Sequence, residues 1–179
     1  MKSETMRAHF HKIYAQRNTM KDILDLYKGK EWHRIHDNKW SLGETYYHLY
    51  LLIKWFRRLN IFYLPISKIF LKNSNQPYLK NSHDIYSQYR KIHKKPMKAP
   101  FILIPPKNIE RKISFNQLLL ELNNETLLFE KMVAAYEENQ AGQIKFPDPI
   151  AHYPNLIQSV DLIGIHENHH FQLYRTYAE

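Results

Sequence analysis

The chain contains no cysteine. Disulfides, zinc–thiolate sites and cysteine nucleophiles are therefore excluded, and a reducing, cytoplasmic setting is expected. Glycine is scarce, with Gly 4 in 179 residues, and the long periodic segments point to helices. No apolar run is long enough to span a bilayer: the most apolar stretch, Leu49-Tyr50-Leu51-Leu52-Ile53, is followed at once by Lys54 and then by Arg57-Arg58. The start, Met1-Lys2-Ser3-Glu4, is polar and has no signal-peptide core. Acidic side chains are in deficit, 17 against 26 Lys and Arg, which gives a formal charge of +9. That balance admits nucleic acid, an anionic membrane surface or acidic small molecules, and does not choose among them. The densest basic cluster, Arg90 to Lys98, reads as a solvated loop.

What is present is helical periodicity. Glu4 to Tyr27 reads as a first helix, with Met6, Phe10, Ile13, Tyr14, Met20, Ile23, Leu24 and Tyr27 at three- and four-residue spacing and Gly29 as its stop. Ser41-Leu42-Gly43-Glu44 matches a capping box and opens a second helix. Its expected inward stripe is Thr45, His48, Leu52, Trp55 or Phe56, and Leu59, with a break or kink allowed at Pro65. Residues 72–112 hold Pro77, Pro96, Pro100, Pro105 and Pro106 and are irregular, with a short helix expected within Ser82 to His93 and an extended piece at Phe101 to Ile104 against the core. Ser114-Phe115-Asn116-Gln117 is a second capping-box match and opens a third helix. Pro147, Pro149 and Pro154 mark the last loop, after which Asn155 caps a fourth helix. One all-α domain over 1–179 follows: a four-helix bundle in which a long crossover lets the second and third helices run parallel.

The fourth segment carries Leu156, Val160, Ile163, His166, His170, Leu173 and Tyr177 on one face. Residues four apart share a face, so His166 and His170 can aim at one point. With His48 they make three histidines at core-type positions. Buried imidazoles need partners. Three neutral imidazoles around a divalent ion, with open positions left, is a catalytic layout, and zinc or nickel suits it. Core histidines held by ordinary hydrogen bonds are the alternative. Glu167 directly follows His166 and is expected to point away from it; the segment is read as one residue too long for the His-Glu-x-x-His pattern of zinc peptidases, which argues against a peptidase. His169 is read as a flanking residue, and Glu44 as either a cap or an orienter of His48. His33 and His36 are read as loop histidines.

Trp40-Ser41, Glu44 and His48-Leu49, in that order and spacing, resemble the second-helix motif of the DinB/YfiT-like superfamily. Ile165-His166-Glu167-Asn168-His169-His170-Phe171-Gln172-Leu173 resembles its C-terminal His-x-x-x-His motif. Ile104-Pro105-Pro106-Lys107 and Phe146-Pro147-Asp148-Pro149 are also similar to family segments. The resemblance implies a four-helix bundle with a long crossover and a divalent metal on His48, His166 and His170. It further implies metal-dependent chemistry, with low-molecular-weight thiol S-transferases of the bacillithiol or mycothiol kind as one branch. A metal-dependent hydrolase is the second enzyme reading, and a bundle that keeps its metal without activity a third. A nucleic-acid or stress-response binding module is the non-enzymatic one, disfavoured because no nucleic-acid-binding motif is present. A small-molecule substrate, no membrane partner and a homodimer complete the expectations.

Overall fold

The computed structural model describes residues 1–36, 38–71, 76–83, 85–94 and 97–178, and only the backbone of Phe70, Ser87, Gln88, Arg90, His93 and Ala178. The architecture is all-helical. Among the described residues the four long helices are α1 (Glu4–Asn18), α3 (Leu42–Phe70), α5 (Phe115–Val133) and α7 (Leu156–Ala178). Three shorter ones are α2 (Lys21–Leu26), α4 (Ile85–His93) and α6 (Glu138–Gln143), with 3-10 turns at Phe101–Leu103 and Ile109–Arg111. Among the described residues no strand occurs; Lys145 and Asn155 form an isolated bridge. No helix among the described residues is long and apolar enough to cross a membrane.

Side-chain pairings give the helix directions. Tyr46 meets Phe115 at 5.3 Å between rings, and Arg57 Nε donates to Glu125 Oε2 at 2.6 Å. Both numbers rise together, so α3 and α5 run the same way, with residues 71–114 between them. His9 lies 3.5 Å from Asp161, and Arg175 donates to Thr19 Oγ1 at 2.6 Å, so α1 and α7 are also parallel. Thr45 faces the Tyr174 hydroxyl at 3.3 Å, whereas His48 faces His166, so α3 and α7 are antiparallel. The core between them holds Met6, Phe10, Ile13, Leu49, Ile53, Leu118, Leu122, Phe129, Val160 and Phe171.

The helix starts follow the residue chemistry. Ser41 and Glu44 form the reciprocal capping box of α3, the hydroxyl accepting from the Glu44 amide at 3.1 Å and the carboxylate from the Ser41 amide at 2.8 Å. Ser114 caps α5 by accepting from the Gln117 amide at 3.2 Å. Asn155 and Gln158 exchange the equivalent bonds at the start of α7. Other expectations are corrected. The first helix breaks after Asn18, and α2 is a separate piece. Pro65 does not interrupt α3; it sits on an exposed face, where water can serve the carbonyl it leaves unbonded. Leu59 and Leu173, expected inward, are 54% and 40% exposed. Tyr174 takes the core place on α7, because that helix buries its 167, 171 and 174 positions against α1 and α3. Phe101 to Ile104 is not an extended piece on the core: its first three residues form a 3-10 turn, and Phe101 is 91% exposed.

The connection after α3 is strapped down by side chains. Asn155 Nδ2 donates to the Leu79 carbonyl, His9 Nε2 to that of Lys80, and Gln158 Nε2 to that of Asn81. Asp161 accepts from the Ser82 amide at 2.8 Å. Four consecutive residues are thus tied to α1 and α7, and α4 begins close after this tie.

Candidate metal centre

His48, His166 and His170 come together. One ring nitrogen of each lies within 4.8 Å of the others. His48 Nε2 is 2.9 Å from His166 Nε2, and the His48 ring centre is 5.1 Å from that of His170. The i, i+4 spacing on α7 supplies two of the rings and the antiparallel α3 the third.

The protonation pattern follows from the partners. His48 Nδ1 lies 2.8 Å from the Leu103 carbonyl, which can only accept. Nδ1 therefore carries the proton, and Nε2 presents a lone pair to the cluster. With no ion bound, His166 Nε2–H donates to that lone pair. His166 Nδ1 then accepts from the Tyr86 hydroxyl, with which it is in hydrogen-bond contact. Each of these imidazole nitrogens is satisfied. For a divalent ion to take the two Nε2 lone pairs, His166 must move its proton to Nδ1. The Tyr86 oxygen can accept as well as donate, so both tautomers have a partner.

Electrostatics favour neutral rings. Burial pushes the His48 imidazolium below its ordinary range, against a smaller opposing effect of the Leu103 carbonyl. Burial and the neighbouring His170, His48 and His169 hold His166 well below that range. Burial, then His48 and His169, lower His170 to about 3. Neutral imidazole is the form that binds metal, so the donor set fits zinc or nickel.

A cavity of about 270 Å³ opens on the cluster. Trp40 forms one wall, its ring centre 4.9 Å from that of His48. Tyr86, Lys98 and Leu103 come from the connection between α3 and α5. No carboxylate lines it among the described residues. Trp40 is placed by the chain before α3: the Trp32 ring occupies the space a Cβ on Gly43 would need, and the Gly43 amide donates to Glu31 at 2.7 Å. The His169 ring stacks face to face on Tyr86 at 4.3 Å, outside the three-nitrogen set.

Several roles differ from the sequence reading. Glu44 does not orient His48; its carboxylate binds Ser41 and Arg34, whose Nε lies 2.8 Å away. Orientation comes instead from the Leu103 carbonyl, a backbone group that no side-chain pattern signals. Tyr86 and the wall role of Trp40 were also not foreseen. The spacing reading is also corrected: residues 166–170 do carry His-Glu-x-x-His, in which a metallopeptidase uses the glutamate as general base. Here Glu167 is 1% exposed and accepts from Arg17 Nε at 2.9 Å, on the side of α7 facing α1 and α5. It is committed away from the histidines. Of the basic cluster at 90–98, Lys95, Pro96 and the side chains of Arg90 and His93 lie outside the described residues. Arg57 pairs with Glu125, and Arg58 lies over the Trp55 ring.

Comparison of the chain with family models, with curated proteins and with solved structures gave no match.

Proposed function

We propose that this chain is a metal-dependent enzyme of the DinB/YfiT-like kind, in which His48, His166 and His170 hold one divalent ion, zinc or nickel. The observation that carries the reading is the His48 tautomer: the Leu103 carbonyl fixes Nδ1–H, so a lone pair points at the two α7 imidazoles, in a cavity. The reaction proposed is transfer of a low-molecular-weight thiol of the bacillithiol type to an electrophile. A divalent ion held by His48, His166 and His170 would supply a Lewis acid that lowers the pKa of a cosubstrate thiol. The chain then needs no nucleophile of its own, in keeping with the absence of cysteine. Its residues bind and orient: Trp40 closes one wall, and Lys98 offers a cation to an acidic cosubstrate. A hydrolase would want a general base beside the ion, and Glu167 is unavailable for that role.

Metal content of untagged protein tests the site. Wild type should hold one equivalent of zinc or nickel, and His48→Ala, His166→Ala and His170→Ala should each lose it, while His169→Ala largely keeps it. Refusal of both ions by wild type at micromolar concentration sinks the proposal. Bacillithiol consumption in the presence of an electrophile then separates the transferase from the hydrolase.

A further inference from the structure

Among the described residues, the layer of the bundle next to the three histidines is lined but not filled. Leu52 lies one turn beyond His48 on α3, and Leu162 one turn before His166 on α7. Because these helices are antiparallel, both face the same layer. A second cavity, of about 330 Å³, opens there. Phe56 and Leu59 continue the α3 wall, Ile163 stands beside Leu162, and Phe146 closes the side toward the last loop. Apart from Tyr86 and His166, polar side chains on its lining are few among the described residues: Asp148 is exposed, and Ser159 spends its hydroxyl proton on the Asn155 carbonyl at 2.8 Å. Tyr86 and His166 line both cavities, so one side of this partition faces the histidine cluster and the other faces the apolar space.

An ordinary bundle closes such a layer with its own side chains, because unfilled apolar volume is costly. Cavities of this size lined by apolar side chains are the usual form of small-molecule sites. We infer that the cavity behind His166 is an apolar subsite that takes an uncharged alkyl or aryl group, the apolar arm of a molecule whose polar end lies among the histidines and Lys98. Its assignment to a substrate rests on the metal-centre proposal. Its capacity for an apolar ligand does not.

The test uses a neutral naphthalene dye, N-phenyl-1-naphthylamine, whose fluorescence rises in apolar surroundings. Wild type should bind it saturably at one equivalent. Leu162→Trp fills the cavity, and Leu59→Arg puts a charge at its exposed edge; each should bind about tenfold more weakly or worse, as when a well-buried apolar contact is lost. Because Leu59 is half exposed, its variant should fold even if the Leu162 variant does not. Phe62→Ser alters the outer face of α3, where Phe62 is 73% exposed, and should leave binding unchanged. His48→Ala should also retain the dye, so loss of the metal and loss of the subsite are read separately. The inference is overturned if wild type shows no saturable binding. It is equally overturned if Phe62→Ser abolishes binding while Leu162→Trp and Leu59→Arg keep it, since the dye would then sit on the outer face.

Discussion

Two polar clusters meet α7 at adjacent residues, and they solve burial in opposite ways. Glu167 is a buried charge with its countercharge in place. Arg17 donates to it through Nε and Nη2, Gln16 Nε2 lies 3.4 Å away, and the same guanidinium donates to Thr126 at 2.9 Å and to Asn123 at 2.9 Å. That cluster is closed, and it ties α1, α5 and α7 together. His166 and His170, one and three residues away, form a cluster of bases that burial keeps neutral, and it opens to a cavity. The first arrangement is complete without a ligand. The second is self-consistent in one tautomer and ready for a cation in the other. Burial of polar groups therefore does not by itself mark a site. A buried set of lone pairs beside open space does.

Breaking the closed cluster should have the largest effect. Glu167→Ala leaves Arg17 buried without its countercharge, which costs about 3–5 kcal/mol. For a domain of this size that corresponds to a fall in Tm on the order of 10 °C. Replacing both partners with apolar residues, Arg17→Met with Glu167→Leu, should recover most of the loss. Thermal unfolding followed by circular dichroism checks both. If Glu167→Ala is as stable as wild type but loses bound metal, Glu167 belongs to the open cluster and the contrast fails.

A smaller effect is expected at Tyr86. Tyr86→Phe removes the oxygen that partners His166 Nδ1 in either tautomer, while the phenyl ring can still stack on His169. Zinc affinity, measured by competition with a chromophoric chelator, should weaken by about 10–100-fold, the usual effect of losing a group that orients a ligand. Stability of the metal-free protein should change much less than in Glu167→Ala. Unchanged zinc affinity would show that the Tyr86 hydroxyl does not support the ligand set.

The two clusters also differ in how far the sequence revealed them. The histidine trio is legible because i, i+4 spacing and an inward phase are local properties of α3 and α7. The helix starts at Ser41, Ser114 and Asn155 are legible for the same reason. The Arg17–Glu167 pair spans most of the chain, so no local pattern signals it; adjacency to His166 says only that Glu167 points elsewhere, not what it meets. Leu59 and Leu173 misled because an apolar stripe reports a face, whereas burial depends on how long two crossing helices stay in contact. Leu103 acts through its carbonyl, and Tyr86 arrives on α4 from the irregular connection. Both lie in that connection, in which residues 79–82, just before α4, are tied to His9, Asn155, Gln158 and Asp161.

The pH dependence of the metal-free protein sharpens the contrast at the smallest scale. His170 is lowered to about 3 in the folded chain, and His48 and His166 are lowered as well. An unfolded histidine titrates near about 6.5. Between these limits the unfolded state binds more protons, so stability rises with pH across the window. The contribution of the neutral imidazoles is therefore complete above about 6.5 and is lost as pH falls toward the folded values. Carboxylates act lower. Glu138, set down to about 2 against the cost of its own burial by Ser3, Thr5 and Lys80, gives stability that persists until pH drops below the ordinary carboxylate range. From pH 7 to 5, then, the histidine cluster should dominate the slope of Tm against pH, and a His166→Leu, His170→Leu double variant should flatten it. Saturating zinc should raise Tm at neutral pH and steepen the loss on acidification, because protons then compete with the ion for the same lone pairs. A metal-free double variant with the wild-type slope would place the titrating groups elsewhere and remove the electrostatic basis for keeping these rings neutral.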